Sequence, residues 1–437
     1  MPEVANTDWS DRALHFIAIG GAGMSGLALV CHRLGARVTG SDRAESSYLR
    51  RAAAAGIDAR VGHDADAVPA GAEVVVSSAI GDDNPELARA RERGQRVLHR
   101  GELLGELCAS KRLIAVAGAH GKTTTAGMLA WLLAGRSAFV LGGELPALGA
   151  DGGPVNSGWD LESEWVVAEA DESDASFLEL RPEIAVITNV ELDHHSRWSS
   201  LAELRAAFRQ FAEPAAHLVL PADPDLDDLV GGQRVTRFDA EHPGPPLELA
   251  VPGRHNLLNA RAALAAAELT GLGTADEFAA RLRTFPGMLR RQERKGTRAG
   301  GEVYDDYAHH PTEVAATLEA MRELRPRRLI AVFQPHLYSR TKALAGRFGA
   351  ALATADEVGV LDVYPAREQP VGELAGVSGL AVARAAADHA AGKPVLWLRD
   401  IPTAERVLAP RLGDGDLLVT IGAGDVFRLA DALVEDA

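Results

Sequence analysis

The stretch Gly118-Ala119-His120-Gly121-Lys122-Thr123-Thr124-Thr125 follows the apolar run 113–117 and opens the helical pattern 123–133. A strand, a tight glycine loop and a helix start, in that order, aim backbone N–H groups and the positive end of a helix dipole at one point. Phosphate oxygens are held by such an arrangement. Lys122 is then placed for the β- and γ-phosphates of a nucleoside triphosphate, and the Thr123 hydroxyl for Mg2+. The loop is a shortened variant, Gly-x-x-Gly-Lys-Thr, because the usual spacing puts a first glycine where Val116 stands. The bland alternative is a strand-to-helix turn with an incidental lysine. Lysine usage speaks against it. Only Lys111, Lys122, Lys295, Lys342 and Lys393 occur, all other basic residues except histidine being arginine.

Outward from this loop, short apolar runs alternate with helical patterns, the signature of parallel α/β sheets. Strand-like 15–20, a glycine loop, helix 26–34 and strands 37–40 and 73–77 come before it. Strands 165–168 and 183–190, a Pro/Gly-rich loop at 239–246 and helix 256–269 come after it. Beyond Phe285-Pro286-Gly287, strands 329–333, 357–361, 394–398 and 417–421 alternate with alanine-rich helices. The expected fold is α/β in three domains. A Rossmann-like N-terminal domain covers 1–109, and a central P-loop ATPase-like domain with a mostly parallel sheet covers 110–285. A C-terminal Rossmann-like α/β domain covers 286–437.

The 437 residues suffice for several cores, and 47% hydrophobic with 24% charged residues is ordinary for a globular chain. A net charge of −16 argues against a general nucleic-acid binder. No window holds about 18 unbroken apolar residues, so no membrane span is expected. Glu3, Asp8 and Asp11 precede the first apolar run, unlike a secretory leader. Cys31 and Cys108 make no disulfide framework and suit buried thiols in the cytoplasm.

Gly20-Gly21-Ala22-Gly23-Met24-Ser25-Gly26 also follows a strand and opens a helix, with Asp42 ending the next strand. That spells a pyrophosphate site, with NAD and a UDP-sugar both open, as is mere close packing of helix on strand. Glu169-Ala-Asp-Glu-Ser-Asp174 and Asp193-His194-His195 each follow a strand in the block of the phosphate loop, and their oxygens and imidazole suit Mg2+. A solvated acidic loop is the alternative. Asn256 and Asn259 share a helix face and can present amides to a base or phosphate, although Asn256 as a helix cap is the plainer reading. Arg290-Arg291 and Asp305-Asp306-Tyr307-Ala308-His309-His310-Pro311 read as loops. Phe333-Gln-Pro-His336-Leu-Tyr-Ser-Arg340 follows a strand, and Gly422-Ala-Gly-Asp425 reads as a turn.

Taken in order, these motifs resemble the Mur ligase family over residues 14–427. The resemblance implies ATP- and Mg2+-dependent joining of L-alanine to the carboxylate of UDP-N-acetylmuramate through an acyl phosphate. The first domain would bind the UDP-sugar, the second ATP, and the third the amino acid. Carried over by motif, Gly118, Ala119, His120, Gly121, Lys122, Thr123, Thr124, Asn256, Asn259, Arg291 and Asp306 would hold ATP, and Thr123, Glu169 and His194 the metal. Gly20, Gly21, Gly23, Ser41, Asp42, His63, Arg100 and Ser173 would hold the UDP-sugar, and Tyr307, His309, His336 and Arg340 the amino acid. Lys122, Glu169, His194, Arg291 and His309 would carry the chemistry.

Members of the family that add later residues use a carbamylated lysine between two metals. No lysine lies between Lys122 and Lys295 here, which fits the alanine-adding branch. The chain departs from the family pattern at His195-Ser-Arg-Trp198 and at Gln292, where a Phe is usual. A ligase that recycles a murein tripeptide onto the same sugar is the nearest rival. An NAD-dependent dehydrogenase and a non-catalytic nucleotide-binding regulator are rivals of other classes. Small-molecule substrates are the expected partners, with a monomer–dimer equilibrium left open.

Overall fold

The structure, a computed structural model, describes residues 9–146, 148, 153–192, 197–241, 244–366 and 368–434. Strands β1 (Ala13–Ile17), β2 (Arg37–Asp42), β3 (Asp58–Val61), β4 (Glu73–Val76) and β5 (Val97–His99) form a parallel sheet in the order β3-β2-β1-β4-β5. Helices α1 (Ala22–Arg33), α2 (Ser47–Ala54), α3 (Pro85–Glu92) and α4 (Arg100–Cys108) connect them. Leu14, Phe16 and Ile17 are all buried, as a parallel strand covered on both faces requires. The strand read at 15–20 stops at Ile17, because Ala18 turns to φ +68° and leaves the ladder.

The second sheet comprises β6 (Arg112–Ala117), β7 (Ser137–Leu145), β8 (Val155–Gly158), β9 (Trp165–Glu169), β10 (Ile184–Ile187), β11 (His217–Pro221) and β12 (Arg234–Phe238). Its order is β12-β11-β10-β6-β9-β7-β8, and only β8 runs antiparallel to its neighbour. Helices α5 (Lys122–Leu132), α6 (Leu201–Ala212), α7 (Arg254–Glu268) and α8 (Ala275–Leu282) accompany it. Because β6 lies between β10 and β9, the loops after these three strands emerge side by side at the carboxyl edge.

The third sheet holds β13 (Glu293–Arg298), β14 (Gly301–Asp306), β15 (Arg328–Phe333), β16 (Glu357–Leu361), β17 (Val395–Arg399) and β18 (Asp416–Ile421), ordered β13-β14-β18-β15-β16-β17. Here β13 pairs antiparallel with β14 and the rest are parallel. Helices α9 (Pro311–Glu323), α10 (Tyr338–Leu352), α11 (Gly379–His389), α12 (Ile401–Leu408) and α13 (Phe427–Leu433) flank it. Asp305 and Asp306, read from sequence as a loop, are the last residues of β14 and are buried. Two acids at a strand end masked the apolar pattern that precedes them.

The chain gathers into two compact units, Met1–Leu249 with Leu257–Pro286, and Ala250–Asn256 with Gly287–Ala437. The first two sheets share one unit. A single apolar core runs from Phe16 of β1 through Val140 and Ala168 to Phe208 and Leu220. The Asn156 amide of β8 ties them further, donating to the Ala22 carbonyl (2.5 Å) and to Ser25 Oγ (2.9 Å) of α1. In the second unit, apolar clusters cover both faces of the sheet. Cys31 and Cys108 are free and buried, and burial pushes the Cys108 thiol up to about 12. Among the described residues no helix is long and apolar enough to cross a membrane.

Candidate active site

The phosphate loop leaves β6 with Gly118 at φ +138° and reaches α5 with Gly121 at φ +81°, the N-cap. Both conformations favour glycine. A β-carbon would also strike Thr188 Oγ1 from Gly118 and Asn259 Oδ1 from Gly121. The loop is held open by Asn189, which follows β10. Its Oδ1 accepts from the His120 N–H (3.0 Å) and its Nδ2 donates to the His120 carbonyl (2.8 Å). Thr188 Oγ1 donates to the same carbonyl (2.5 Å), and His120 Nε2 lies 3.0 Å from Glu191 Oε2. Ala119 completes the loop and Thr124 is buried in the first turn of α5.

Within this cradle Lys122 Nζ donates to the Gly118 carbonyl and to Glu172 Oε2, both at 2.7 Å. Thr123 Oγ1 donates to Glu169 Oε1 (2.9 Å), and Glu169 Oε2 accepts from the Gly142 N–H (2.9 Å). Burial works against the Lys122 charge, but Glu172, Asp171 and Glu169 outweigh it and hold the ammonium above the ordinary lysine value. Glu172 is pushed up by burial, with Lys122 opposing and Asp171 adding to the rise. One lysine charge is thus shared among three carboxylates. Asp171 is held well below the aspartate range: burial would raise it, and Lys122 and Arg100 more than reverse that. The Thr123 hydroxyl and the Glu169 carboxylate converge as hard oxygen donors, a pair that fits Mg2+. His194 lies outside the described residues.

The acidic loop also reaches the first sheet. Arg100 Nη2, at the start of α4, donates to Asp171 Oδ2 (2.6 Å) and Asp174 Oδ2 (2.9 Å), while the Ser173 N–H turns back to Asp171 Oδ1 (3.0 Å). Trp198, one of the departures from the family pattern, is buried and donates through Nε1 to the Glu172 carbonyl (2.9 Å). At the carboxyl edge of the first sheet, Gly21 caps α1, and Gly23 lies in its first turn beside Arg100. Asp42 at the end of β2 accepts from the N–H groups of Gly20 (3.0 Å) and Ala44 (3.2 Å). Ser41 and His63 lie beside it, Oγ to Nδ1 at 2.8 Å.

In the second unit, neighbouring strands β14, β18 and β15 bring Tyr307–His309, Gly422–Asp425 and Gln334–His336 to one edge. Asp306 accepts from the N–H of Gln292 (2.9 Å, Oδ2) and of Ala308 (2.7 Å, Oδ1). Burial raises its carboxyl to about 6 against the opposing charge of Arg291. Arg290 pairs with Asp305 (3.0 Å) and donates to the Gly422 carbonyl (2.8 Å), and both Arg290 and Arg291 lie over the Tyr307 ring. Gln292, the other departure, joins His255 and Asn256: its Nε2 is 3.0 Å from His255 Nε2, and its Oε1 accepts from Asn256 Nδ2 (3.0 Å). Asn256 Nδ2 also donates to the Pro252 carbonyl (2.7 Å), so its amide is a donor here and not a helix cap. The rings of Tyr307, His309, His336 and Tyr364 follow one another with centroids 5.5, 6.3 and 5.8 Å apart, the first two contacts edge-to-face and the last stacked. Arg340 lies in the first turn of α10.

Sequence reasoning found the loop, the acidic motif and the aromatic–histidine motif, but it missed Thr188, Asn189, Glu191, Tyr364 and the pairing of Glu172 with Lys122. Thr188 and Asn189 were hidden inside the strand expected at 183–190, which ends at Ile187, so that both fall directly after it at the edge beside the phosphate loop.

A lysine-bearing glycine loop, with carboxylates from the adjacent strand converging on it, defines a phosphate-loop α/β protein. Comparison with known proteins narrows that class. The Mur ligase family catalytic domain matches residues 13–112, the Mur ligase middle domain 116–235, and the Mur ligase glutamate ligase domain 290–424. The chain belongs to the Mur ligase family. It is 42% identical to a UDP-N-acetylmuramate–L-alanine ligase of Streptomyces coelicolor over 97% of both chains. It is 45% identical to one of Kineococcus radiotolerans, over 94% of this chain and 93% of that one. The crystal structure of a UDP-N-acetylmuramate-alanine ligase from Thermotoga maritima superposes with a TM-score of 0.82 at 28% identity, covering 96% of this chain and 98% of that one.

Proposed function

We propose that this chain is the ligase that joins L-alanine to the carboxylate of UDP-N-acetylmuramate in peptidoglycan precursor synthesis, with ATP as the driving substrate. One observation carries the reading. The Lys122 loop faces Glu169 and Glu172 in a chain that matches ligases named for this reaction from end to end. A carboxylate is a poor electrophile, and transfer of the γ-phosphoryl group turns it into an acyl phosphate with a good leaving group. The alanine amine then attacks the acyl carbon, forming the C–N bond and expelling phosphate.

In this reading residues 1–109 bind the UDP-sugar through Gly20, Gly21, Gly23, Ser41, Asp42, His63 and Arg100, joined by Ser173. Residues 110–285 bind ATP through Gly118–Thr124 and Asn259, with Asn256, Arg291 and Asp306 also assigned to the nucleotide. Lys122 balances charge on the transferring phosphoryl group, where preorganised cations act most strongly. Thr123, Glu169 and His194 hold Mg2+, which supplies further positive charge at those phosphates. Residues 286–437 bind alanine through Tyr307, His309, His336 and Arg340, cationic and hydrogen-bonding groups that suit its carboxylate. The chemistry needs no nucleic acid, membrane or second copy of the chain, and its substrates place it in the cytoplasm.

The test is phosphate release from ATP with UDP-N-acetylmuramate and either L-alanine or the murein tripeptide. Release that requires all three substrates and is fastest with L-alanine is the expected result. Release with the tripeptide alone would overturn the assignment in favour of the recycling ligase.

A further inference from the structure

Glu86, in the first turn of α3, is fully buried beside the carboxyl edge of the first sheet. Its Oε1 accepts from the Asp64 N–H (3.1 Å). Its Oε2 faces Ser41 Oγ at 2.5 Å, His63 Nδ1 at 3.4 Å and the buried His15 Nε2 at 3.5 Å. Burial would raise this carboxyl, but His15, Ser41 and the Asp64 N–H reverse the effect and hold it below the glutamate range. It is therefore a carboxylate that only accepts.

The protons can be assigned from that point. Ser41 has one hydroxyl hydrogen, and the short contact gives it to Glu86. The Ser41 oxygen is then an acceptor toward His63 Nδ1, 2.8 Å away. That nitrogen faces acceptors in both Ser41 and Glu86, so it carries a hydrogen. In the neutral ring Nε2 is left as the lone-pair nitrogen, and it has no hydrogen-bond partner among the described residues. His63 lies at the rim, its side chain 19% exposed, while Glu86 is sealed beneath it.

The position has a consequence for a nucleoside. In sheets wound this way, an acid at the end of the second strand takes the ribose hydroxyls. Here Asp42 occupies that place, but its two oxygens hold the N–H groups of Gly20 and Ala44. His63, following the adjacent β3, offers an acceptor on the same edge.

We propose that Glu86 is a positioning residue that fixes His63 with its hydrogen on Nδ1, so that Nε2 accepts a hydrogen bond from the nucleoside of the UDP-linked substrate. The donor is either a ribose hydroxyl or the uracil imide N–H. This rests on the UDP-sugar reading above. Glu86 itself touches no ligand.

The experiment is equilibrium binding of UDP, 2′-deoxy-UDP and CDP to the full chain at about pH 8.5, well above the ordinary imidazole value. Cytosine lacks the N3 hydrogen and the deoxy sugar lacks a hydroxyl, so the two probes separate base from ribose. The native chain is expected to bind UDP about tenfold or more tighter than one of the two analogues. His63→Leu, a change at the rim, should erase that preference, and Glu86→Gln should reduce it. Equal binding of all three by the native chain, or a preference that survives His63→Leu, would overturn the inference. So would a folded Glu86→Gln variant with full preference, its fold checked by thermal melting. Should Glu86→Gln not fold, the 15N shifts of His63 in the native chain decide: a hydrogen on Nδ1 is expected, and a hydrogen on Nε2 would overturn the inference. Failure of the native chain to bind UDP at all would overturn the UDP-sugar reading as well, an outcome distinct from binding without preference.

Discussion

Lys122 Nζ donates to Glu172 Oε2 at 2.7 Å, so the lysine of the phosphate loop is held by a buried carboxylate of its own chain. Its charge is also drawn on by Asp171 and Glu169. In the proposed reading, nucleotide phosphates entering this loop would compete with Glu172 for the same ammonium, which the carboxylates keep ionised and aimed.

Removing the lysine therefore does two things. Lys122→Ala should lower phosphate release by about a thousandfold, the usual cost of losing a phosphoryl-stabilising cation. It should also destabilise the fold by about 3 kcal/mol, because a buried carboxylate loses its partner. Adding Glu172→Gln should restore most of the stability and none of the activity. Urea unfolding of the two variants checks this, and a single variant as stable as the native chain would refute the pairing.

Glu169 faces Thr123 with one oxygen and the Gly142 N–H with the other. Glu169→Gln keeps the shape and removes the charge. The Mg2+ concentration giving half-maximal phosphate release should rise at least about 10- to 100-fold, the range that applies even to groups that only support a metal's ligands. A chelator should stop release by the native chain. An unchanged Mg2+ requirement in the variant would remove Glu169 from the metal site.

Much of this site was legible because the relevant residues follow strands. The glycine loops, Glu169 and His336 each come just after an apolar run, and in a parallel sheet that alone sends each to the carboxyl edge of its own sheet. The pairings were not legible. Glu172 and Lys122 are 50 residues apart, and Glu86 and Ser41 are 45 apart. Nothing local to Glu86 marks it out, since an acid in the first turn of a helix ordinarily faces solvent and interacts with the dipole. Asp305 and Asp306 hid a strand end, because buried acids break the apolar pattern that strand reading relies on. The joining of the first two sheets into one unit rests on contacts such as Asn156 with Ala22, which no spacing foretells.

Asp306 makes stability depend on pH. Its carboxyl is raised to about 6 by burial, above the ordinary aspartate value. A group with a raised folded value binds protons more tightly when folded, so its contribution is full below about pH 4 and is lost as pH rises through about 6. The loss should be about 2–3 kcal/mol across that window. Asp306→Asn has no proton to lose, so its unfolding free energy minus that of the native chain should rise over the same window and be flat above it. A constant offset of about 1–2 kcal/mol is expected besides, since an amide oxygen replaces two carboxylate acceptors for the N–H groups of Gln292 and Ala308. Denaturant titrations at several pH values measure both. A flat difference throughout would mean that Asp306 titrates as an ordinary aspartate.

Gly121 separates backbone strain from crowding. At φ +81° an alanine costs about 1–2 kcal/mol in the left-handed region, whatever its neighbours. Its β-carbon would also run into Asn259 Oδ1, so the Asn259 amide, the loop or α7 must shift. Gly121→Ala should thus lose stability by about 2–3 kcal/mol, strain and crowding together. It should weaken nucleotide binding more than it weakens the fold, because the N–H groups of the loop are aimed by this turn. In Gly121→Ala with Asn259→Ala the crowding is gone and the strain remains, so the penalty measured against Asn259→Ala alone should fall to about 1–2 kcal/mol. If the penalty were the same on both backgrounds, Asn259 would not be pressing on the loop. Nucleotide titration of the four proteins would then show whether Asn259 acts on the nucleotide directly or only by supporting Gly121.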